Sequence, residues 1–229
     1  MTTRKINGKL FKFPDGWHDV PFDVGYQYLK GELKGLELFS ALSGVDKKYL
    51  KNNDAPEVIQ QFLYGFPFLS TPPIETNPEI PISINIGGTN VFFPHVKEDE
   101  EFDFGKATVG QIEEMSHVIQ KHYKSVSEEE ERDLSLIEVM DIMPLVVAMY
   151  IQPFVQGCEY DTKKARKLAK VVETECSIRE VMNIYQFFFR KFNHLGIGSR
   201  NKCQTLRLLT RKCKRAFMKL INFLGSMLR

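Results

Sequence analysis

The chain has 229 residues, 43% of them hydrophobic and 26% charged, a size and balance that suit one sizeable globular domain or two small ones. Its opening MTTRKINGKLFKF lacks the apolar core and cleavage site of a secretory signal, and its longest apolar run, residues 142–151, holds Pro144 and is about half the roughly 20 residues that a membrane span needs. Four cysteines without a CxxC pair exclude a disulfide scaffold and predict free thiols in a reducing compartment.

The formal net charge of +2 hides a partition. Residues 200–229 hold nine of the 31 Lys and Arg and none of the 29 Asp and Glu, so residues 1–199 carry a formal −7 and the C-terminal segment +9. Asymmetry of this kind points to a segment that meets an anionic surface: nucleic acid, an anionic membrane, or an acidic protein face, the chain's own body included.

In chain order, Asn7-Gly8 between Arg4-Lys5-Ile6 and Lys9-Leu10-Phe11 predicts a hairpin, because Asn-Gly supplies the two positive-φ residues of a type I′ turn. Trp17 reads as an anchor that pins this hairpin to the helices behind it. A helix is expected over residues 24–43, capped by Asp23, stopped by Gly44, and presenting Leu29, Leu33, Leu36, Phe39 and Leu42. Gly31 and Gly35, one turn apart within it, predict a place of close helix packing. Asp46 and Asp54 open two short helices. Five prolines between Pro67 and Pro81 then predict an irregular, extended linker.

A second hairpin is expected over residues 82–93, where Ile82, Ile84 and Ile86 alternate with polar residues before Gly87-Gly88. Ile6-Asn-Gly8 through Phe13-Pro14 overlays Ile86-Gly-Gly88 through Phe93-Pro94 without a gap, and Val24-Gly25 and Val109-Gly110 come after them, a pattern of a degenerate duplication. Capping boxes are readable at Thr108…Gln111, Ser127…Glu130, Ser135…Glu138 and Ser177…Glu180. Pro144 and Pro153 predict a kinked or split helix between Ser135 and Gly157. Asp161 caps a helix with Ala165, Leu168, Ala169 and Val172 on one face. The helix after Ser177 carries Ile178, Val181, Met182, Tyr185, Phe188, Phe189 and Phe192 as a core stripe.

Past the joint Gly196-Ile197-Gly198-Ser199, the last segment reads as a basic amphipathic helix. Leu209, Phe217, Leu220 and Leu224 stand on its apolar face and are the candidate partner-binding residues. Arg207, Arg211, Lys212, Lys214, Arg215 and Lys219 stand on the anion-facing side. The apolar face is too rich for a pure phosphate binder. It predicts docking on the body, on another subunit, or against nucleic acid or an anionic bilayer.

No residue pattern signals chemistry. His18, His95, His117, His122 and His194 are scattered, and His117 and His122, five apart, diverge by about 140° on a helix. There is no G-x-S-x-G, H-E-x-x-H or Walker A pattern, and the acidic runs 98–101 and 128–131 read as solvated turns or helix starts. No catalytic, cofactor-binding or metal-binding residue is assigned, and no small-molecule substrate is expected. The expected fold is mainly α (α+β): a hairpin-plus-helices unit over 1–69, a Pro-rich linker over 70–81, a second such unit over 82–196, and the basic helix over 200–229.

The run from Ile6 through Trp17-His-Asp-Val20 into Val24-Gly25 and Leu42-Ser-Gly44-Val-Asp46, with Thr108-Val109-Gly110-Gln111 in the second half, resembles small non-enzymatic proteins encoded among the structural genes of tailed bacteriophages, particularly crAss-like phages. The resemblance covers roughly residues 4–69 and 84–123 and rests on short motifs. It implies a virion protein of the tail or neck, a cargo protein packaged inside the particle, or a tail-assembly chaperone not retained in the virion. The implied partners are portal, tail or neck proteins and the chain itself; contact with DNA or an anionic membrane is expected from the basic C-terminal segment, which the resemblance does not cover. The implied location is the virion, made in the bacterial cytoplasm; that the chain is neither secreted nor transmembrane is expected from its opening residues and its short apolar run.

Overall fold

The computed structural model describes residues 1–6, 9–53, 66–71, 73, 83–92, 109–127, 135–157 and 159–195. Strands β1 (Thr2–Ile6) and β2 (Lys9–Phe13) form the first antiparallel hairpin, with Ile6 opposite Lys9; the expected Asn7-Gly8 turn lies outside the described residues. Strands β3 (Ser83–Ile86) and β4 (Thr89–Phe92) form the second, and Gly87 and Gly88 take φ of 60° and 74°, as a type I′ turn requires. Each hairpin is a two-stranded sheet of its own. The helices are α1 (Phe22–Leu29), α2 (Gly35–Ser43), α3 (Lys47–Asn53), α4 (Val109–Ser127), α5 (Leu136–Met140), α6 (Met143–Gln156), α7 (Thr162–Glu175) and α8 (Ile178–Leu195). Helix outweighs strand several-fold, so the fold is mainly α with two small β-hairpins.

The expected helix over residues 24–43 is two helices. Leu29 ends α1, and α2 starts at Gly35 after a loop in which Gly31 and Gly35 hold φ of 76° and 52°. Neither glycine marks close packing: a Cβ on Gly31 would meet only the far end of the Lys34 side chain, and one on Gly35 would meet nothing. Their left-handed backbone breaks the helix, a conformation that glycine adopts without steric cost. Close packing occurs one helix earlier, where a Cβ on Gly25 would lie 2.7 Å from Ile178 Cδ1. Asp23 is not the cap either. Pro21 stands at that position, and the Asp23 carboxylate accepts the Val24 amide at 2.7 Å. Gly44, left-handed at φ 67°, does stop α2, and Asp46 accepts the Lys48 amide at 2.6 Å at the start of α3.

Two of the four capping boxes are formed. Ser135 and Glu138 exchange amides at 2.7 and 3.3 Å, and Ser177 and Glu180 do so at 2.8 and 3.2 Å. Ser127, by contrast, closes α4, with Glu130 outside the described residues. Thr108 also lies outside them, while Gln111 is buried and donates from Nε2 to the Met149 carbonyl at 2.7 Å. The Ser135-to-Gly157 segment is split at Asp141-Ile142. Pro144 sits in the first turn of α6, Pro153 lies inside that helix, and left-handed Gly157 ends it. Asp161 accepts the Lys164 amide at 2.9 Å to open α7. Part of the expected linker is ordered: Pro67–Ser70 is a 3-10 turn whose Phe68 is buried. The helix expected after Asp54, the acidic runs and the joint at Gly196 lie outside the described residues, as do the side chains of Phe188, Phe189 and Phe192.

Buried side chains from Phe13 to Tyr185 form one cluster. One branch is aromatic. Tyr28 packs on Trp17 (ring centroids 5.9 Å apart), Trp17 on Phe68 (5.3 Å), Phe68 on Phe66 (5.7 Å), Phe66 on Phe13 (5.8 Å) and Phe13 on Phe39 (5.6 Å). The Trp17 indole N–H is satisfied by the Thr71 carbonyl at 2.7 Å, so this residue ties the end of the first hairpin to the 3-10 turn at Pro67–Ser70. The other branch surrounds α6, where Val146, Val147, Ala148, Met149 and Ile151 are all buried. Leu136–Val155 is long and apolar enough to cross a membrane by composition, but it is split between α5 and α6 and mostly buried inside the protein, as a core helix is.

The two branches meet where the chain crosses itself. Phe22 donates its amide to the Cys176 carbonyl and Ile178 donates to Val20, both at 2.9 Å, around the antiparallel pair Pro21 and Ser177. Pro21 has no N–H and Ser177 gives its own to Glu180, so the pair between those two bonds leaves no donor stranded.

Replacing Gly25 by Ala is expected to destabilise the protein in urea titration by about 1–2 kcal/mol, overpacking against Ile178 outweighing the gain in helix propensity. Adding Ile178→Val, which removes the Cδ1 atom, should recover part of that loss. Burial, with the charges of Glu180 and Glu175, pushes the Cys176 thiol up to about 12, and burial alone raises the Tyr150 phenol to about 12. Both groups ionise earlier in the unfolded chain, near 9.0 and 10.0. Their contribution to stability is therefore complete below pH 9 and is lost as pH climbs toward 12, at about 1.4 kcal/mol per pH unit for each group between its two values. Thermal melts across pH 8–11 should show this fall, and peptide-level labelling at pH 8 should modify Cys176 only after denaturation.

Candidate contact surfaces

The crossing of residues 20–22 with 176–178 sets α1 beside the end of α7 and opens a groove of about 350 Å³. Phe22, Met140 and Pro144 give it an apolar floor. Asp23, Glu32, Asp141 and Glu173 give it an acidic rim, and Tyr26 and Gln27 complete it. Phe22 and Tyr26, one turn apart on α1, stack with centroids 5.9 Å apart and planes 15° apart. The Tyr26 hydroxyl donates to Asp141 Oδ1 across a sequence gap of 115 residues, joining α1 to the turn between α5 and α6. Partial burial and that bond hold the Tyr26 phenol well above its ordinary range. Lys30 lies 5.1 Å over the Tyr26 ring and pairs with Glu32 at 2.7 Å. Among the described residues no Lys or Arg forms an ion pair with Asp23, Asp141 or Glu173.

The second charged surface is the outer face of α7. Ala165, Leu168, Ala169 and Val172 are buried, so at about 100° per residue Lys163, Arg166, Lys167 and Lys170 share one exposed stripe about 100° wide on the opposite side. Among the described residues none of these four makes an ion pair. The order of charge along α7 opposes its macrodipole: there is no acid in the first turn, no base in the last, and Glu173 and Glu175 stand at the C-terminal end. Asp161 partly offsets this. The amide of Lys164 binds its carboxylate and, with the charges of Lys163 and Lys164, holds its carboxyl below the usual range.

Other polar groups brace the frame. His122 Nε2 lies 2.6 Å from the Glu138 carbonyl, tying α4 to α5, and His117 is exposed. Glu114 accepts the hydroxyls of Tyr160 at 3.0 Å and Thr162 at 2.5 Å, linking α4 to the start of α7. Gln152 accepts the Asp161 amide at 2.9 Å. Among the described residues no three His, Cys, Asp or Glu side chains are placed to hold a metal ion.

The residues assigned to contact from the sequence lie outside the described residues: Leu209, Phe217, Leu220 and Leu224, and Arg207, Arg211, Lys212, Lys214, Arg215 and Lys219. Neither described surface was anticipated. The groove had no sequence signal, since its lining comes from α1, the loop after it, the α5–α6 turn and α7. The α7 stripe had one, in the spacing Lys163, Arg166, Lys167, Lys170 opposite an apolar face. No family model, curated protein or solved structure matches the chain.

Replacing Tyr26 by Phe removes the hydroxyl bond to Asp141 and is expected to cost about 0.5–1.5 kcal/mol in stability. A double-mutant cycle with Asp141→Ala should show coupling of that size. Additive effects would mean that the bond contributes nothing.

Proposed function

We propose that this chain is a non-enzymatic structural protein of a tailed-bacteriophage particle, held in the tail or neck or packaged inside as cargo, and acting through contact with other particle proteins. The observation that carries the reading is the partition of charge: an acid-free segment with nine Lys and Arg joined to a body with a formal −7. Such a chain is suited to joining surfaces of unlike charge. The phage context is supported by the resemblance of residues 4–69 and 84–123 to proteins encoded among phage structural genes.

A mass-spectrometric inventory of purified particles of the encoding phage is expected to contain the chain at a constant copy number. Its presence in infected cells but absence from particles would sink the virion reading in favour of an assembly chaperone.

Within this reading the apolar face of the C-terminal segment makes the contact and its charges select the surroundings. Replacing Leu209, Phe217, Leu220 and Leu224 by Ser should remove the chain from particles, since each side chain forfeits burial of about 1.5–3 kcal/mol. Replacing Arg207, Arg211, Lys214 and Arg215 by Gln should leave incorporation in place. The opposite pattern in the same inventory would make charge the determinant.

A further inference from the structure

We propose that the outer face of α7 is a phosphate-backbone contact surface for double-stranded nucleic acid, through Lys163, Arg166, Lys167 and Lys170. The inference does not rest on the particle assignment, because it concerns binding by the isolated chain. It is also separate from the C-terminal segment, which contributes none of these residues.

Three observations lead to it. First, the four cations are exposed on one stripe and, among the described residues, form no ion pair, so nothing in the described fold neutralises them. The chain does use such pairs elsewhere: Lys47 meets Glu37 at 2.8 Å and Lys30 meets Glu32 at 2.7 Å. Second, the stripe opposes the dipole of its own helix, with the basic residues toward the N-terminal end and Glu173 and Glu175 at the other. That arrangement costs helix stability, and although Glu175 accepts the Gly87 amide at 2.5 Å, the four cations gain no ion pair among the described residues in return. Third, the stripe has the dimensions of a backbone contact. From Lys163 to Lys170 the helix rises about 10 Å, the axial length of about three phosphates on one strand of a duplex.

The flanking residues separate nucleic acid from a bilayer. A helix that lies in a membrane surface presents large apolar side chains beside its cations. On α7 Ala165, Leu168, Ala169 and Val172 face the core, and the exposed large hydrophobic residues among those described are Met1, Leu10 and Phe92, none of them on this helix. The stripe offers charge with no apolar wedge. It has no aromatic platform for unstacked bases, so it suits an intact duplex read without regard to sequence.

The test uses the full chain and a random-sequence 30-base-pair DNA duplex, with affinity measured from 50 to 200 mM salt. Replacing Lys163, Arg166, Lys167 and Lys170 by Gln is expected to weaken binding at least about tenfold near 100 mM salt and to reduce the slope of log affinity against log salt by about 3–4, some 0.9 per lost contact. A control with equal loss of charge, Lys12, Lys34, Lys48 and Lys51 to Gln, should leave the slope within about one unit of the parent. Lys167→Ala and Lys170→Ala, which keep helix propensity, should each remove about one unit and cover the case in which the quadruple variant folds poorly. The proposal is overturned if the parent chain does not bind the duplex. It is also overturned if the α7 variant binds as the parent does while Arg207, Arg211, Lys214 and Arg215 to Gln abolish binding, or if the control matches the α7 variant. Binding of the parent to phosphatidylserine vesicles but not to DNA would overturn it in favour of a membrane surface.

Discussion

The structure turns on one short crossing, the antiparallel contact of residues 20–22 with 176–178. Two backbone hydrogen bonds of 2.9 Å span more than 150 positions of sequence there, Phe22 to Cys176 and Ile178 to Val20. Both central residues fit the contact. Pro21 brings no N–H to the contact, and Ser177 directs its amide into the Glu180 carboxylate that caps α8. Gly25, one turn into α1, lets Ile178 lie against the helix backbone. These features set α1 at the junction of α7 and α8.

From that junction the core extends in two chemical styles. Toward the N-terminal hairpin it is a file of rings, from Tyr28 through Trp17, Phe68, Phe66 and Phe13 to Phe39, each within 6 Å of the next. Around α6 it is aliphatic and rich in methionine: Met140, Met143, Met149 and Met182 are all but fully buried, and flexible thioethers fill the irregular space between unequal helices. Two buried glutamines make directed bonds, Gln111 to the Met149 carbonyl and Gln152 to the Asp161 amide, which set α4 and α7 in register with α6.

Charge is sorted along α7. Its N-terminal portion carries exposed cations and its C-terminal end contributes Glu173 to the acidic rim of the groove. A body with separate basic and acidic faces can meet two partners of opposite sign at once. The same division appears at larger scale between residues 1–199 and 200–229. This is the physical sense in which the proposed structural role and the proposed duplex contact are compatible: assembly onto a particle needs apolar and complementary protein faces, and a phosphate backbone needs only uncompensated cations.

Features governed by neighbours within four residues were readable from the residues themselves. The positive-φ pair Gly87-Gly88, the left-handed stop at Gly44, and the reciprocal amides of Ser135 with Glu138 and Ser177 with Glu180 all arise from local backbone chemistry. The apolar face of α7 and the charge partition were readable too, from side-chain periodicity and from composition. The features that the sequence could not decide depend on which faces meet. A glycine in a helical pattern can serve packing or break the helix; the position of α8 shows that Gly25 packs, and the left-handed backbone of Gly31 and Gly35 shows that they break. Tyr26 and Asp141 are 115 residues apart, so no periodicity relates them. The spacing of Lys163, Arg166, Lys167 and Lys170 was visible, yet only the fold shows that no described carboxylate pairs with them, because Coulomb interaction depends on distance in space rather than along the chain.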